Sequence, residues 1–273
     1  CPLSDILRSG VVPAVRLTEI FRQAQESLIV MNAHRVNSGV MPDLKTVTSD
    51  FFFLRRRTEE AVASTIGDLC RTRLPDRMGI PPEEIQVLSP TRKGPTGTAS
   101  LNLLLQAQLN PPAPDKKEKK WGDFSFREGD RVMQIRNNYD ILWKKTDGTQ
   151  VGTGIFNGDI GVITEIDLNA ELLTVVFDDR QAEYDFDMLR ELELAYAMTV
   201  HKSQGSEYQA VVLAAWSCAP NLRTRRVLYT AITRARKLLV VVGREDILQT
   251  MTENQRQSRR YSGLKLRLQE KEQ

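Results

Sequence analysis

Apolar positions in this chain repeat at two different spacings, and the spacing changes along its length. Over residues 15–37, Leu17, Ile20, Phe21, Ala24, Leu28 and Met31 follow the three-and-four step of an amphipathic helix, with Thr18 placed to cap its start and Ser38-Gly39 to end it. The apolar run 51–54 reads as a short strand, and 59–74 as a helix that turns Ala61, Val62, Ile66, Leu69 and Cys70 inward. Pro81-Pro82 then break the chain. Residues 85–88 read as a buried strand, 89–97 as a turn and 98–109 as a helix, so strand, loop and helix recur in the order of an α/β domain.

Between 111 and 120 the string PPAPDKKEKK joins proline to charge and offers no apolar surface to bury, which predicts an exposed, mobile linker. Beyond it the period shortens. Residues 130–135, 160–166, 172–177 and 182–186 read as short strands, separated by the turn signals Asp147-Gly148, Asn157-Gly158-Asp159 and Asp178-Asp179, with a hairpin over 144–153. After Leu192 the longer rhythm returns: an apolar segment at 195–198, a strand at 210–215, an arginine-rich helix over 224–236 and a strand at 238–243. The pattern predicts an α/β domain assembled from 1–125 and 194–273, interrupted by a small β-barrel over 126–193. The tail from 256 to 273 has the make-up of a surface helix.

Composition narrows the class. With 273 residues, 41% hydrophobic and 27% charged, the chain can bury a sizeable core. Its apolar runs reach only about six residues against the roughly 20 of a membrane span. The opening CPLSDILRSG lacks the features of a secretory signal, and the absent initiator Met suggests a piece of a longer protein. Three scattered cysteines, Cys1, Cys70 and Cys218, fit no zinc or disulfide framework and point to a reducing, cytoplasmic setting. A net charge of +3 does not by itself imply nucleic acid. Clustering of arginine at 55–57, 223–236 and 256–260 carries more weight.

Two segments carry chemistry. TVHKSQGSEY, residues 199–208, puts small and polar residues at a junction before a strand, where exposed amides and hydroxyls suit phosphate oxygens and Gly205 permits close backbone approach. VLYTAITRAR, residues 227–236, anchors Arg234 behind an apolar helical stretch, and a guanidinium held there suits a phosphate that gains charge in a transition state. His201 can donate to a phosphate without a metal, and no Cys, Asp or His stands at ligand spacing from it.

TVHKSQGSEY followed by VLYTAITRARKLLVVVG closely resembles helicase motifs V and VI of superfamily 1, and specifically the RecD-like DNA helicases. RLTEIFRQAQESLIV, LSPTRKGPTGTASLNLLLQ, GDRVMQIRNNYD and FNGDIG are similar to that family in the same order. The resemblance implies the second of two RecA-like domains, interrupted by an SH3-like barrel, in a motor that couples ATP hydrolysis to 5′-to-3′ movement on single-stranded DNA. Arg22 and Arg234 then match the motif IV and motif VI arginines that reach the γ-phosphate, the two catalytic candidates. Gly205 and Glu207 match positions near the nucleotide, Glu207 at a ribose hydroxyl. Thr199, His201 and Lys202 match the part facing the DNA backbone, and Thr91 and Arg92 occupy a place where relatives contact the same strand. The expected partners are single-stranded DNA, an N-terminal motor domain of the same protein and, through the barrel, other repair or recombination proteins.

The sequence departs from the family pattern in one respect. It contains no GxxxxGK[ST] phosphate loop, no acidic pair for Mg²⁺ and no following glutamine motif. The first ATPase half is therefore expected elsewhere, holding ATP and Mg²⁺, and the chain alone is expected to be inactive as an ATPase. The alternative is a non-catalytic module that binds single-stranded DNA or protein.

Overall fold

The computed structural model describes residues 2–14, 26–46, 50–255 and 267–269. Helix α1 (Pro2–Ser9) precedes α2 (Leu28–Asn37), whose start is set by Ser27: its Oγ accepts from the Val30 amide at 3.3 Å. The helix expected over 15–37 is corrected here, because extended backbone at Ser27 interrupts it. Residues 15–25, Thr18 among them, lie outside the described residues. Strand β1 (Phe51–Arg55) leads into α3 (Glu59–Asp68), capped by the Thr58 hydroxyl. The helix expected over 59–74 runs further: a π-helical turn over Leu69–Arg73 keeps Leu69 and Cys70 buried and passes into α4 (Leu74–Met78). Strand β2 (Ile85–Ser89) and α5 (Thr98–Leu109) follow where the periodicity puts them.

The chain then leaves this layer. β3 (Glu118–Trp121) and β4 (Phe124–Arg127) form a hairpin, which corrects the expected linker at 118–120, while 111–117 are loop as expected. Its charges are held instead: Glu118 by Arg127 at 2.7 Å, Lys116 by the Asn110 side chain, and Lys119 over the Phe186 ring at 4.0 Å. Seven strands next form one antiparallel sheet: β5 (Arg131–Gln134), β6 (Asn138–Lys145), β7 (Val151–Ile155), β8 (Ile160–Asp167), β9 (Leu172–Phe177), β10 (Arg180–Asp185) and β11 (Leu192–Leu194). Their order is β11-β5-β8-β9-β10-β6-β7. Register shifts at 138/142 and 163/165 mark irregularities of the kind that bend a sheet around its core of Ile163, Val175, Phe177 and Tyr184.

The first layer resumes with β12 (Ala197–Thr199), β13 (Tyr208–Ala215), α6 (Arg225–Ile232), β14 (Ala235–Gly243) and α7 (Glu245–Glu253). The helix expected over 224–236 stops at Ile232, because the Arg234 carbonyl already accepts from the Tyr208 amide at 2.8 Å and the chain extends beside β13. Of the tail, 267–269 are helical and 256–266 and 270–273 lie outside the described residues.

All five strands of this layer are parallel, in the order β1-β14-β13-β2-β12, and helices cover both faces. Alternation shows it: Ala210, Val212, Val240 and Val242 pack with Val62, Ile66 and Leu101, whereas Val211, Leu213, Leu239 and Val241 pack with Val36, Val227 and Leu248. The first of these clusters continues into the antiparallel sheet through Val132 and Ile155. Asp130, fully buried, fixes the junction. Its Oδ1 accepts from the Asn110 side chain at 2.8 Å and the Tyr196 hydroxyl at 2.9 Å, its Oδ2 from the Gln106 side chain at 2.6 Å and the Arg127 amide at 2.7 Å. Burial pushes its carboxyl up against the pull of these four bonds. Asn110 stands where the chain leaves the layer and Tyr196 where it returns, so one carboxylate holds both crossings.

Candidate nucleic-acid and nucleotide interface

Because the strands are parallel, their C-terminal ends share one edge of the sheet, where loops of open α/β sheets gather ligands. Thr199 lies opposite Ser89 in register, so the loops that follow, 90–97 and 200–207, emerge side by side. The Val200 amide donates to the Ser89 carbonyl at 3.1 Å and joins them. Loop 90–97 is folded on itself: the Ser89 hydroxyl donates to the Thr96 carbonyl and accepts from the Thr91 amide, while Glu59 accepts from both the amide and the hydroxyl of Thr96. The first amides of α5, at Thr98 and Ala99, donate to the carbonyls of Thr91 and Arg92. So tight a closure requires Gly97, where a Cβ would stand 2.4 Å from the Lys93 carbonyl oxygen.

At this edge Arg92 and Lys202 meet. Glu193, on β11, accepts from Arg92 at 2.8 Å with Oε1 and from Lys202 at 2.9 Å with Oε2. Burial pushes the Glu193 carboxyl up, but the hydrogen bonds and charges of Lys202 and Arg92 outweigh it and hold it below the usual carboxylate range. Thr91 and Thr199 are half-buried beside these cations, and His201 is exposed.

The other predicted residues lie at the opposite edge. β2 spans about 13 Å at the usual strand rise, and β13 begins beyond its Ile85 end. Residues 200–207 cross that distance as successive turns, with Ser203 buried and its hydroxyl on the Val200 carbonyl. Near the far end Gly205 takes φ +97 with open space around it, a conformation L side chains rarely adopt. Glu207 pairs with Arg236 at 3.0 Å. Arg234 is in the turn after α6, which corrects its expected place on the helix. Its guanidinium donates to the Ser206 carbonyl at 2.7 Å, the Thr230 carbonyl at 3.1 Å and the Thr233 hydroxyl at 3.1 Å. Arg22 lies outside the described residues. The structure thus gathers Thr91, Arg92, Thr199 and Lys202 at one edge and Gly205, Glu207 and Arg234 at the other.

Sequence reasoning missed Glu193 and Arg236. The alternation Leu192-Glu193-Leu194 would have marked the acid as the outward residue of a strand, but only the fold brings it to Arg92, 101 residues away. Cys70 and Cys218 are free and buried, and burial pushes both thiols up, Cys70 to about 12, so neither is poised as a nucleophile. Among the described residues no group of three or more His, Cys, Asp and Glu side chains could hold a metal ion, and no helix is long and apolar enough to cross a membrane.

Two family profiles match parts of the chain. The family profile described as ATP-dependent RecD-like DNA helicase SH3 domain matches residues 101–177, and that of the UvrD-like helicase C-terminal domain matches 194–242. The ATP-dependent RecD2 DNA helicase of Deinococcus radiodurans is 32% identical over 247 residues, which cover 90% of this chain and 31% of the relative. The chain belongs to the RecD-like superfamily 1 helicases, as a C-terminal part. The RecBCD enzyme subunit RecD of Mycolicibacterium smegmatis is 31% identical over 68% of this RecD-like chain and 29% of its own length. The chain therefore spans less than a third of these curated relatives. A solved Pif1 helicase from Bacteroides in complex with ADP-AlF3 and ssDNA aligns with 87% of the RecD-like chain and 53% of its own, at 19% identity and a TM-score of 0.46.

Proposed function

We propose that this chain is the second motor half of an ATP-dependent helicase that moves 5′ to 3′ on single-stranded DNA. The observation that carries the reading is the crossing of residues 200–207 between the two edges, with Lys202 near one end and Glu207 at the other. In this reading Thr91, Arg92, Thr199, His201 and Lys202 contact the sugar-phosphate backbone. Such contacts carry no sequence information, so binding is sequence-tolerant and salt-sensitive. At the opposite edge Arg234 faces the γ-phosphate, a role that Arg22 shares by its motif, while Gly205 and Glu207 flank the nucleotide. ATP with Mg²⁺, held by an N-terminal motor domain, supplies the phosphoryl group that gains charge during hydrolysis. Arg234 meets that charge with a planar donor that is always protonated. Its guanidinium has five N–H donors and spends three internally, so two remain for that charge, and the bond to Ser206 ties it to the connection that also carries Lys202. Nucleotide state and DNA grip are linked through that connection.

Those same three bonds favour a second reading, a non-catalytic single-stranded DNA or protein-binding module in which Arg234 is only a staple. One comparison separates the two. In the full-length protein, Arg234→Ala lowers steady-state phosphate release by roughly 10³-fold, as loss of other arginines of this role does, and leaves affinity for single-stranded DNA within about two-fold. Unchanged turnover, or loss of DNA affinity and turnover together, refutes the catalytic assignment.

A further inference from the structure

Glu193 does something neither motor nor barrel chemistry requires: it puts a carboxylate between the two cations assigned above to DNA. We propose that Glu193 is a built-in occupant of the phosphate site, holding Arg92 and Lys202 together until a backbone phosphate of single-stranded DNA takes its place. The inference rests on the reading of Arg92 and Lys202 as DNA contacts.

The geometry is that of phosphate recognition. Each carboxylate oxygen serves one cation, Oε1 for Arg92 and Oε2 for Lys202. A phosphodiester offers the same face, two acceptor oxygens sharing one negative charge, which suits a guanidinium and an ammonium side by side. The parts that hold still and the parts that can move are also clear. Glu193 is fixed through its backbone, paired with Met133 of β5 between buried Leu192 and Leu194. Arg92 and Lys202 stand on loops and reach it with long side chains, so exchange needs rotamer changes alone. Side-chain exposures of 62% for Arg92, 26% for Lys202 and 33% for Glu193 leave the cluster open to an incoming strand. Ion pairs this exposed are weak enough for a phosphate to displace. The device keeps two flexible cations preassembled, and it weakens the grip by the competition it sets up.

Binding of a fluorescent oligothymidylate to the full-length protein, without nucleotide and across a salt series, tests this. Glu193→Gln removes the charge and keeps the shape. It should tighten binding about 2- to 30-fold, the worth of two partly exposed ion pairs, and steepen the slope of log K against log salt by about 0.7, one further phosphate neutralised. Glu193→Ala should do the same, which guards against an effect of the amide itself. In an Arg92→Ala/Lys202→Ala background, Glu193→Gln should change nothing. If that double variant weakens binding while Glu193→Gln leaves it unchanged or weaker, the occupant proposal falls and the DNA reading stands. If the double variant binds as tightly as the wild type, the DNA reading itself falls.

Discussion

Replacing Asp130 by alanine removes the acceptor for four donors at the junction of the two sheets, and the structure says what each donor has left. The Gln106 side chain keeps the Ser125 carbonyl at 2.8 Å, and the Asn110 side chain keeps the Glu128 carbonyl at 3.1 Å. The Tyr196 hydroxyl and the Arg127 amide lose the Asp130 acceptor without such a substitute. At about 1–3 kcal/mol for each of these two groups left with no acceptor, and with one N–H of each side-chain amide also unmade, the cost is at least about 2–6 kcal/mol. Taken at 4 kcal/mol, that is a fall of roughly 8–16 °C in Tm for a chain of this size. Thermal and urea unfolding followed by circular dichroism measure it. The sharper check is a cycle with Tyr196→Phe. In the wild type this change removes a hydrogen bond to a charged group and costs about 1.5–3 kcal/mol. In the Asp130→Ala background it removes an orphaned hydroxyl and should stabilise. Equal destabilisation in both backgrounds would refute the account of Asp130 as the shared acceptor of both chain crossings.

Two further predictions concern the sites. Gly97→Ala pushes a methyl group into the carbonyls of Arg92 and Lys93; loop 90–97 has to open, so the variant should bind single-stranded DNA about tenfold more weakly with ATP affinity unchanged, read by anisotropy, and undiminished DNA binding would separate Arg92 from the interface. The 273-residue chain alone, supplied with ATP, Mg²⁺ and single-stranded DNA, should release phosphate at well under about 1 per second, a typical enzyme value, and turnover at or above that rate would overturn the assignment of the triphosphate to another domain.

How much of this was legible in the sequence depended on the range of the interaction. α5 and β9 begin and end where the periodicity of residues 98–109 and 172–177 puts them, because their apolar faces are local patterns. Residues 118–120 looked like a solvated run, since the partners of Glu118 and Lys119 are Arg127 and the Phe186 ring across turns that composition does not reveal. The helix before Arg234 read too long because TRAR has no helix breaker; what ends it is the pairing of Arg234 with Tyr208, 26 residues earlier in the chain. The motif residues themselves stood out, but their division between two edges follows only from the parallel register of β2, β12 and β13.

Residues 200–207 act as a strut whose two ends are pinned, by the Ser89 carbonyl through the Val200 amide and by Arg234 through the Ser206 carbonyl. A strut of fixed length passes a push along instead of absorbing it, so lengthening or shortening this stretch by a single residue would throw one pinned end out of place.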